Sequence, residues 1–194
     1  PDLSLGAKVS YNKTEHVTRF TNRNDALLGA VWTTGLAGPT DGNGVTTLTT
    51  IESTARSEYV GFTITARKRM SDNYMFDFNY TLSRDQSDDD NERDPFSFRY
   101  AKITDLGPEF GDSDRDQRHR LNAYFLTILP YEVSFNARYS YRSAQPFSIT
   151  AIGAPANAPA DRINADGSVT QRNLGRKDNS FSSFDLRLSK LFDL

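Results

Sequence analysis

The chain has 194 residues, 23 of them basic and 25 acidic, with a formal charge of -2, a mean hydropathy of -0.62 and no cysteine. That balance supplies no bulk basic field for nucleic acid, and the missing cysteines exclude a disulfide framework, a thiolate metal site and a cysteine nucleophile. No run approaches the roughly 20 apolar residues of a spanning helix, so any membrane crossing is made by strands, which need apolar residues only at alternate positions.

The length suits one β-domain over residues 1–194. The opening Pro1 and Asp2 show no initiator Met, charged start or apolar run, so an export signal is expected to be removed or to lie outside this segment of a longer precursor. The first predicted strand, residues 2–11, sets Leu3, Leu5, Ala7, Val9 and Tyr11 on one parity and Ser4, Gly6, Lys8 and Ser10 on the other. A strand sends successive side chains to opposite faces, so this one has an apolar and a wet face. Residues 12–57 follow as a long polar loop, whose Gly, Pro and Asp density at 35–44 marks irregular chain. Val45 to Ser53 is a candidate extra strand within it.

Strand 58–70 places Val60, Phe62, Ile64 and Ala66 opposite Tyr59, Gly61, Thr63, Thr65, Arg67 and Arg69. Ser71, Asp72 and Asn73 read as a three-residue hairpin loop. Strand 74–84 has the cleanest alternation, with Tyr74, Phe76, Phe78, Tyr80 and Leu82 against Met75, Asp77, Asn79, Thr81 and Ser83. An acidic loop occupies 85–117. Strand 118–128 sets Leu121, Ala123, Phe125 and Thr127 against Arg120, Asn122 and Tyr124, and a short turn around Pro130 leads into strand 132–142. There Val133, Phe135, Ala137, Tyr139 and Tyr141 oppose Ser134, Asn136, Arg138, Ser140 and Arg142. Loop 143–180 precedes a last strand, 181–192, with Phe184, Leu186 and Leu188 opposite Asp185, Arg187 and Ser189.

Both short connections fall at one end of this sheet and the three long loops at the other, the asymmetry of outer-membrane barrels with short periplasmic turns and long extracellular loops. Five outward residues span about ten positions, or about 33 Å at roughly 3.3 Å per residue. A tilt of about 40° reduces that to about 25 Å, the height of the apolar band of such barrels. Aromatics fall where girdles belong: Tyr74, Phe76 and Tyr131 toward the turns, Tyr80, Tyr139 and Tyr141 toward the loops. The predicted fold is therefore all-β, an antiparallel transmembrane β-barrel segment of six long strands in the outer membrane of a Gram-negative bacterium. Phe62, Ile64, Phe76, Phe78, Tyr80, Leu121, Phe125, Phe135, Tyr139, Leu186 and Leu188 would face lipid and lipopolysaccharide. A soluble antiparallel sandwich is the alternative, although its strands usually run to only about 5 to 6 residues.

Three segments carry a family resemblance. ARSEYVGFTITARKRMSDNYMFDFNYTLSRDQSDD (55–89), DRDQRHRLNAYFLTILPYEVSFNARYSYRSAQPFSIT (114–150) and FDLRLSKLF (184–192) resemble segments of TonB-dependent outer-membrane receptors of the Oar-like, carboxypeptidase-regulatory-domain-bearing type. The match covers about two thirds of the chain, with DQRHR and the ARKRM approach to the turn as its most specific parts. The resemblance implies a barrel of about 22 strands around a plug, importing a scarce or large solute with energy delivered by TonB. Six strands fall short of the eight with which single-chain barrels begin. The segment is therefore expected to work with remaining strands, a plug and a TonB-contacting region outside it.

The inner parity gathers Arg67, Arg69, Arg120, Arg138, Arg142 and Arg187 with Asp77, Asn79, Asn122 and Asp185. These residues are candidate contacts for a plug or an unidentified solute, or else simply a hydrated inner wall. The acidic run Asp88, Asp89, Asp90, Glu92 and Asp94 has oxygens for Ca²⁺ or for divalent bridges between lipopolysaccharide headgroups, but like charges in a row favour a solvated loop. Asp161, Asn164, Asp166 and Gly167 miss the spacing of a calcium loop, because Arg162 stands where its first Asp belongs. They read as a turn. His119 near Asp114 and Asp116 raises an Asp/His hydrolase, yet it shares the lipid-facing parity of Leu121. His16 stands alone in a loop, and two histidines make zinc improbable. The expectation is a non-enzymatic protein without cofactor or metal.

Overall fold

A computed structural model describes residues 2–22, 49–89, 100–103, 105–151 and 162–192. Among the described residues nine strands occur in chain order: β1 (Leu3–Asn22), β2 (Thr49–Ser71), β3 (Tyr74–Ser87), β4 (Gly111–Asp112), β5 (His119–Leu129), β6 (Val133–Arg142), β7 (Pro146–Phe147), β8 (Gly175–Arg176) and β9 (Phe181–Ser189). Six of them form one antiparallel sheet in the order β1-β2-β3-β5-β6-β9, with β4 added on β3, and β7 pairs only with β8. Each long strand thus pairs with its sequence neighbour in the sheet.

Cross-strand partners share a face, and the register brings every apolar parity onto the same one. Val9 pairs Phe62, Phe62 pairs Leu82, Phe76 pairs Phe125, Ala123 pairs Tyr139 and Tyr139 pairs Phe184. A one-residue slip anywhere would have turned the remaining strands over. From β2 to β9 the register shifts only beside the first turn, between Lys68 and Ser71, so the apolar face is continuous over the spanning residues.

That face is bare. Leu5 is 73% exposed, Val9 73%, Phe184 63% and Leu188 67%, whereas the only buried hydrophobic residues among those described are Ala55, Tyr100 and Ala101. A sandwich would cover the apolar face with a second sheet. Among the described residues the only other sheet is the two-residue β7 and β8 pair, so the sandwich alternative is set aside.

Several boundaries shift. Residues 12–22 and 49–57, expected as loop, instead prolong β1 and β2 into a paired ribbon from Lys13↔Glu58 to Asn22↔Thr49. The cause lies in the β-branched residues along both segments, among them Val17, Thr21, Thr50 and Ile51, with Thr21 Oγ1 hydrogen-bonded to Thr50 Oγ1 at 2.8 Å and to Glu52 Oε1 at 3.0 Å. A bulge interrupts the pairing between Thr14 and Val17, where His16 adopts φ 60°. The proposed extra strand at Val45 to Ser53 is, in its described part, the start of β2; Val45 and the Gly-rich 35–44 lie outside the described residues. β3 runs on to Ser87, and β9 stops at Ser189 rather than 192.

The first turn has two residues rather than three: Ser71 pairs with Tyr74, and Asp72 (φ 51°) and Asn73 (φ 65°) occupy the left-handed region that a type I′ turn requires. Asp and Asn tolerate that region better than other non-glycine residues. The second turn, Pro130–Glu132, is tight and not helical, because Tyr131 (φ 64°) and Glu132 (φ 58°) both take the left-handed region; Tyr131 is 85% exposed.

At the opposite end the two later loops, expected to be irregular, pack together. A 3-10 turn at Gly107–Glu109 buries Glu109, whose carboxylate pairs with Arg162 Nη2 at 2.5 Å and accepts the Ala101 N–H at 2.9 Å. Gly111 lies so close to the Arg172 carbonyl that a Cβ would overlap it. Only glycine admits this approach of one loop to the other.

Candidate functional site

The polar face of the sheet carries the sequence-predicted cluster. Arg67 stands opposite Asp77 in the register, their Nε and Oδ2 3.7 Å apart, both well exposed. Asn79 pairs across to Thr65 and Asn122, and Asn122 Oδ1 accepts the Ser140 hydroxyl at 3.2 Å. Thr63 and Thr81 hydroxyls meet at 2.9 Å, and Tyr124 donates to Asn136 Oδ1 at 2.8 Å. Arg138 is set opposite Asp185, and Arg187 opposite Asn136. Arg69 lies near the turns, exposed, its backbone N–H bonded to the Asp2 carbonyl at 2.8 Å.

Toward the loop end Arg120 and Arg142 are direct cross-strand partners, with Arg142 also 5.1 Å over the Phe181 ring. Like charges directly opposite are destabilising. An anionic group placed between the two guanidinium groups would relieve that repulsion. All ten predicted inner residues therefore share one face, spread along its height rather than gathered in a pocket.

The predicted outer residues share the other face. Phe62, Ile64, Phe76, Phe78 and Tyr80 form its centre with Leu121 and Phe125, and Phe135, Tyr139, Leu186 and Leu188 continue it across β6 and β9. Tyr74 packs on Phe125 and Tyr139 on Phe184, with ring centroids 6.3 and 6.5 Å apart. Lys68, not singled out above, occupies this apolar parity near the turn. Its ammonium sits 3.8 Å over the Tyr74 ring and donates to the Ser71 carbonyl at 2.7 Å. The stem covers apolar surface while the charge reaches the turn, as a snorkelling lysine does.

His119 also falls on the apolar side. Its Nδ1 meets the Tyr80 hydroxyl at 2.8 Å, while Asp116 engages Arg118 and Arg176 and Asp114 accepts from Asn173. The structure thus separates the histidine from the carboxylates that suggested a hydrolase. His16 Nδ1 lies 3.3 Å from the Ser53 carbonyl.

The acidic run is corrected in part. Asp88 and Asp89 are buried rather than solvated. Asp88 Oδ2 meets Arg19 Nη2 at 2.9 Å, and its Oδ1 accepts the Arg56 N–H at 2.8 Å. Arg19, on the ribbon extension, also donates to the Thr54 carbonyl at 2.9 Å and lies 5.5 Å over Tyr100. Burial, reinforced by the charge of Asp89, pushes the Tyr100 hydroxyl far up from its ordinary pKa. Sequence reasoning missed this pair because Arg19 and Asp88 are 69 positions apart and only the prolonged ribbon joins them. Asp90, Glu92, Asp94 and Asp161 lie outside the described residues.

Asn164, Asp166 and Gly167 form the expected turn, closed by the Asn164 N–H bond to the Ser168 carbonyl at 2.8 Å and by an Ile163↔Val169 bridge. Asp166 accepts the Ser168 hydroxyl at 2.6 Å and its N–H at 2.9 Å, which hold its carboxyl below the ordinary aspartate value.

A family model described as an outer membrane beta barrel domain matches residues 4–185. No curated protein matches the chain, and no solved structure does.

Proposed function

The chain belongs to the outer membrane beta barrel domain family and resides in the outer membrane of a Gram-negative bacterium; from that premise we propose that it forms the wall and extracellular gate of a TonB-dependent transporter for a scarce or large solute. The observation that carries the reading is the open sheet. Six strands of membrane-spanning length leave one edge of β1 and one of β9 unpaired among the described residues, and lipid tolerates no unpaired strand edge. The sheet is therefore an arc of a larger barrel. The resemblance of 55–89, 114–150 and 184–192 to TonB-dependent receptors supports a barrel wide enough to enclose a plug.

In this reading the apolar face meets lipid, the polar face lines the lumen, the two tight turns are periplasmic and the packed loops extracellular. Arg67, Arg69, Arg120, Arg138, Arg142 and Arg187, with Asp77, Asn79, Asn122 and Asp185, contact plug or solute. Arginine suits that role because its planar fork pairs with carboxylate or phosphate in two parallel bonds. No catalytic step is assigned, and the energy comes from TonB through a region outside this chain.

The test uses the full-length protein in planar bilayers and against the periplasmic domain of TonB. A plugged transporter gives a closed baseline, opens when the plug is deleted, and retains TonB. Steady conductance from the outset would make it a passive porin. No conductance in either form, with no TonB retained, would make it a structural or adhesive surface protein.

A further inference from the structure

The polar face is not uniform along its height, because the register lays its side chains in tiers that run across the sheet. One tier holds Arg67, Asp77, Tyr124, Arg138 and Asp185, so each aspartate stands beside an arginine. Two residues nearer the loops, Thr65, Asn79, Asn122, Ser140 and Ser183 form a tier without charge. The next tier is Lys8, Thr63, Thr81, Arg120, Arg142 and Phe181, which carries cations and hydroxyls but no carboxylate.

No neighbouring tier compensates this last one. Asp77 and Asp185 lie four residues away along the strands, roughly 13 Å at about 3.3 Å per residue, which exceeds the screening length of about 8 Å in physiological salt. On the loop side Asp112 and Asp116 are engaged by Arg118, at 2.7 and 3.5 Å. Among the described residues the Arg120 side chain has no hydrogen bond or ion pair, and that of Arg142 has only the Phe181 ring, 5.1 Å from its guanidinium carbon. Stacking on a ring face orients a guanidinium yet spends none of its five N–H donors. Both arginines are exposed on the polar face. An anion between them removes a like-charge contact and takes their donors in forked pairs.

The uncharged tier lies one step, about 6.6 Å, toward the turns. Asn122 Oδ1 accepts the Ser140 hydroxyl at 3.2 Å, which leaves its Nδ2 to donate. Asn79 spends neither end of its amide on another described residue. Amides offer both donors and acceptors, as the hydroxyls of a sugar require.

We propose that these two tiers bind a carboxylated oligosaccharide, with a uronate carboxylate in the fork of Arg120 and Arg142 and ring hydroxyls on Asn79 and Asn122. Phe181 is a positioning residue that aligns Arg142. Lys8, three strand spacings or about 14 Å from Arg120, is placed for the carboxylate of a further sugar unit. The inference names a solute class for the transporter reading and rests on its assignment of the polar face to the lumen. A neutral sugar leaves the arginine pair repelling, and a simple anion such as phosphate leaves the amide tier unused.

Equilibrium dialysis of the full-length protein in detergent measures retention of trigalacturonate, maltotriose and inorganic phosphate. Trigalacturonate should be retained at least tenfold better than either of the others, and combining Arg120→Gln with Arg142→Gln should abolish the preference. That double variant relieves a like-charge pair, so its resistance to unfolding, read by heat-modifiable migration on a gel, should hold or rise, whereas a merely structural role predicts a fall. Phe181→Leu keeps both charges but removes the ring, and should lower trigalacturonate retention severalfold. Equal retention of the two sugars, retention of phosphate alone, or a preference intact in the double variant overturns the proposal. So does a double variant that is less stable while the wild type retains no trigalacturonate, which would put a carboxylate of the protein itself between the arginines. Conductance and TonB retention decide the transporter reading separately: a steadily conducting pore that still selects trigalacturonate would refute the plug and keep the site.

Discussion

Replacing Phe78 by arginine tests the orientation of the sheet at its most demanding point. Phe78 is the middle of the five outward residues of β3, four positions from Tyr74 and four from Leu82, and its cross-strand partners are Ala66 and Ala123. Four residues at about 3.3 Å each give roughly 13 Å along the strand, or about 10 Å of depth at a tilt near 40°. An arginine there lies at mid-bilayer between two alanines that offer it no partner, and snorkelling recovers only part of its solvation. The expected cost is about 2–4 kcal/mol, roughly a 30- to 700-fold shift toward the unfolded form. Asn79→Arg, one residue away, joins Thr65 and Asn122 on the wet face and should change stability little. The assay is urea unfolding of the full-length protein in lipid vesicles, followed by heat-modifiable migration on a gel. Equal destabilisation by both substitutions would refute the assignment of faces.

Two further expectations concern the packed loop end. Asp88→Asn leaves Arg19 buried without its counter-charge and should cost about 3–5 kcal/mol. The loss should appear as faster amide exchange at 17–22 and 50–56 with the spanning sheet unchanged, and Arg19→Met with Asp88→Leu should restore most of the protection. Burial raises the pKa of Asp112, but hydrogen bonds from Arg84 and Arg118 and their charges outweigh it, holding the carboxyl below the ordinary 3.8. A depressed folded value contributes stability that is complete above the unfolded pKa and is lost as pH falls through the folded one. Protease cleavage within 105–118 and 162–180 should therefore rise only below about pH 4, and Asp112→Asn should show the higher cleavage at neutral pH already.

What the sequence made legible is what period two encodes. The faces of Phe78 and Asn79, the strands flanking 71–73 and 130–132, and the shared side of the ten inner residues all follow from parity and from Gly, Pro and Asp placement. The ribbon of 12–22 with 49–57 was hidden because polar threonines and charged residues interrupt its apolar pattern, and its stability comes from β-branched pairing and the Thr21, Thr50 and Glu52 hydrogen bonds. Long-range ion pairs such as Arg19–Asp88 and Glu109–Arg162 leave no local trace, because charge carries no periodicity and the partners meet only after the loops fold together. Lys68 was readable in principle, being with Glu58 one of the two charges on the apolar parity of the expected strand 58–70, and its closeness to the turn is the clue.

Single-cysteine labelling tests the wall most directly, because these 194 residues contain no cysteine and, with any thiol elsewhere in the full-length protein replaced by serine, every signal is the introduced one. Residues 74–83 are replaced one at a time in the full-length protein in vesicles, labelled with a fluorophore, and quenched from the lipid by a brominated acyl chain and from water by iodide. The account predicts strict alternation, with 74, 76, 78, 80 and 82 quenched from lipid and deepest at 78, and with 75, 77, 79, 81 and 83 quenched from water. Uniform access from water, or lipid quenching without a period of two, would contradict it.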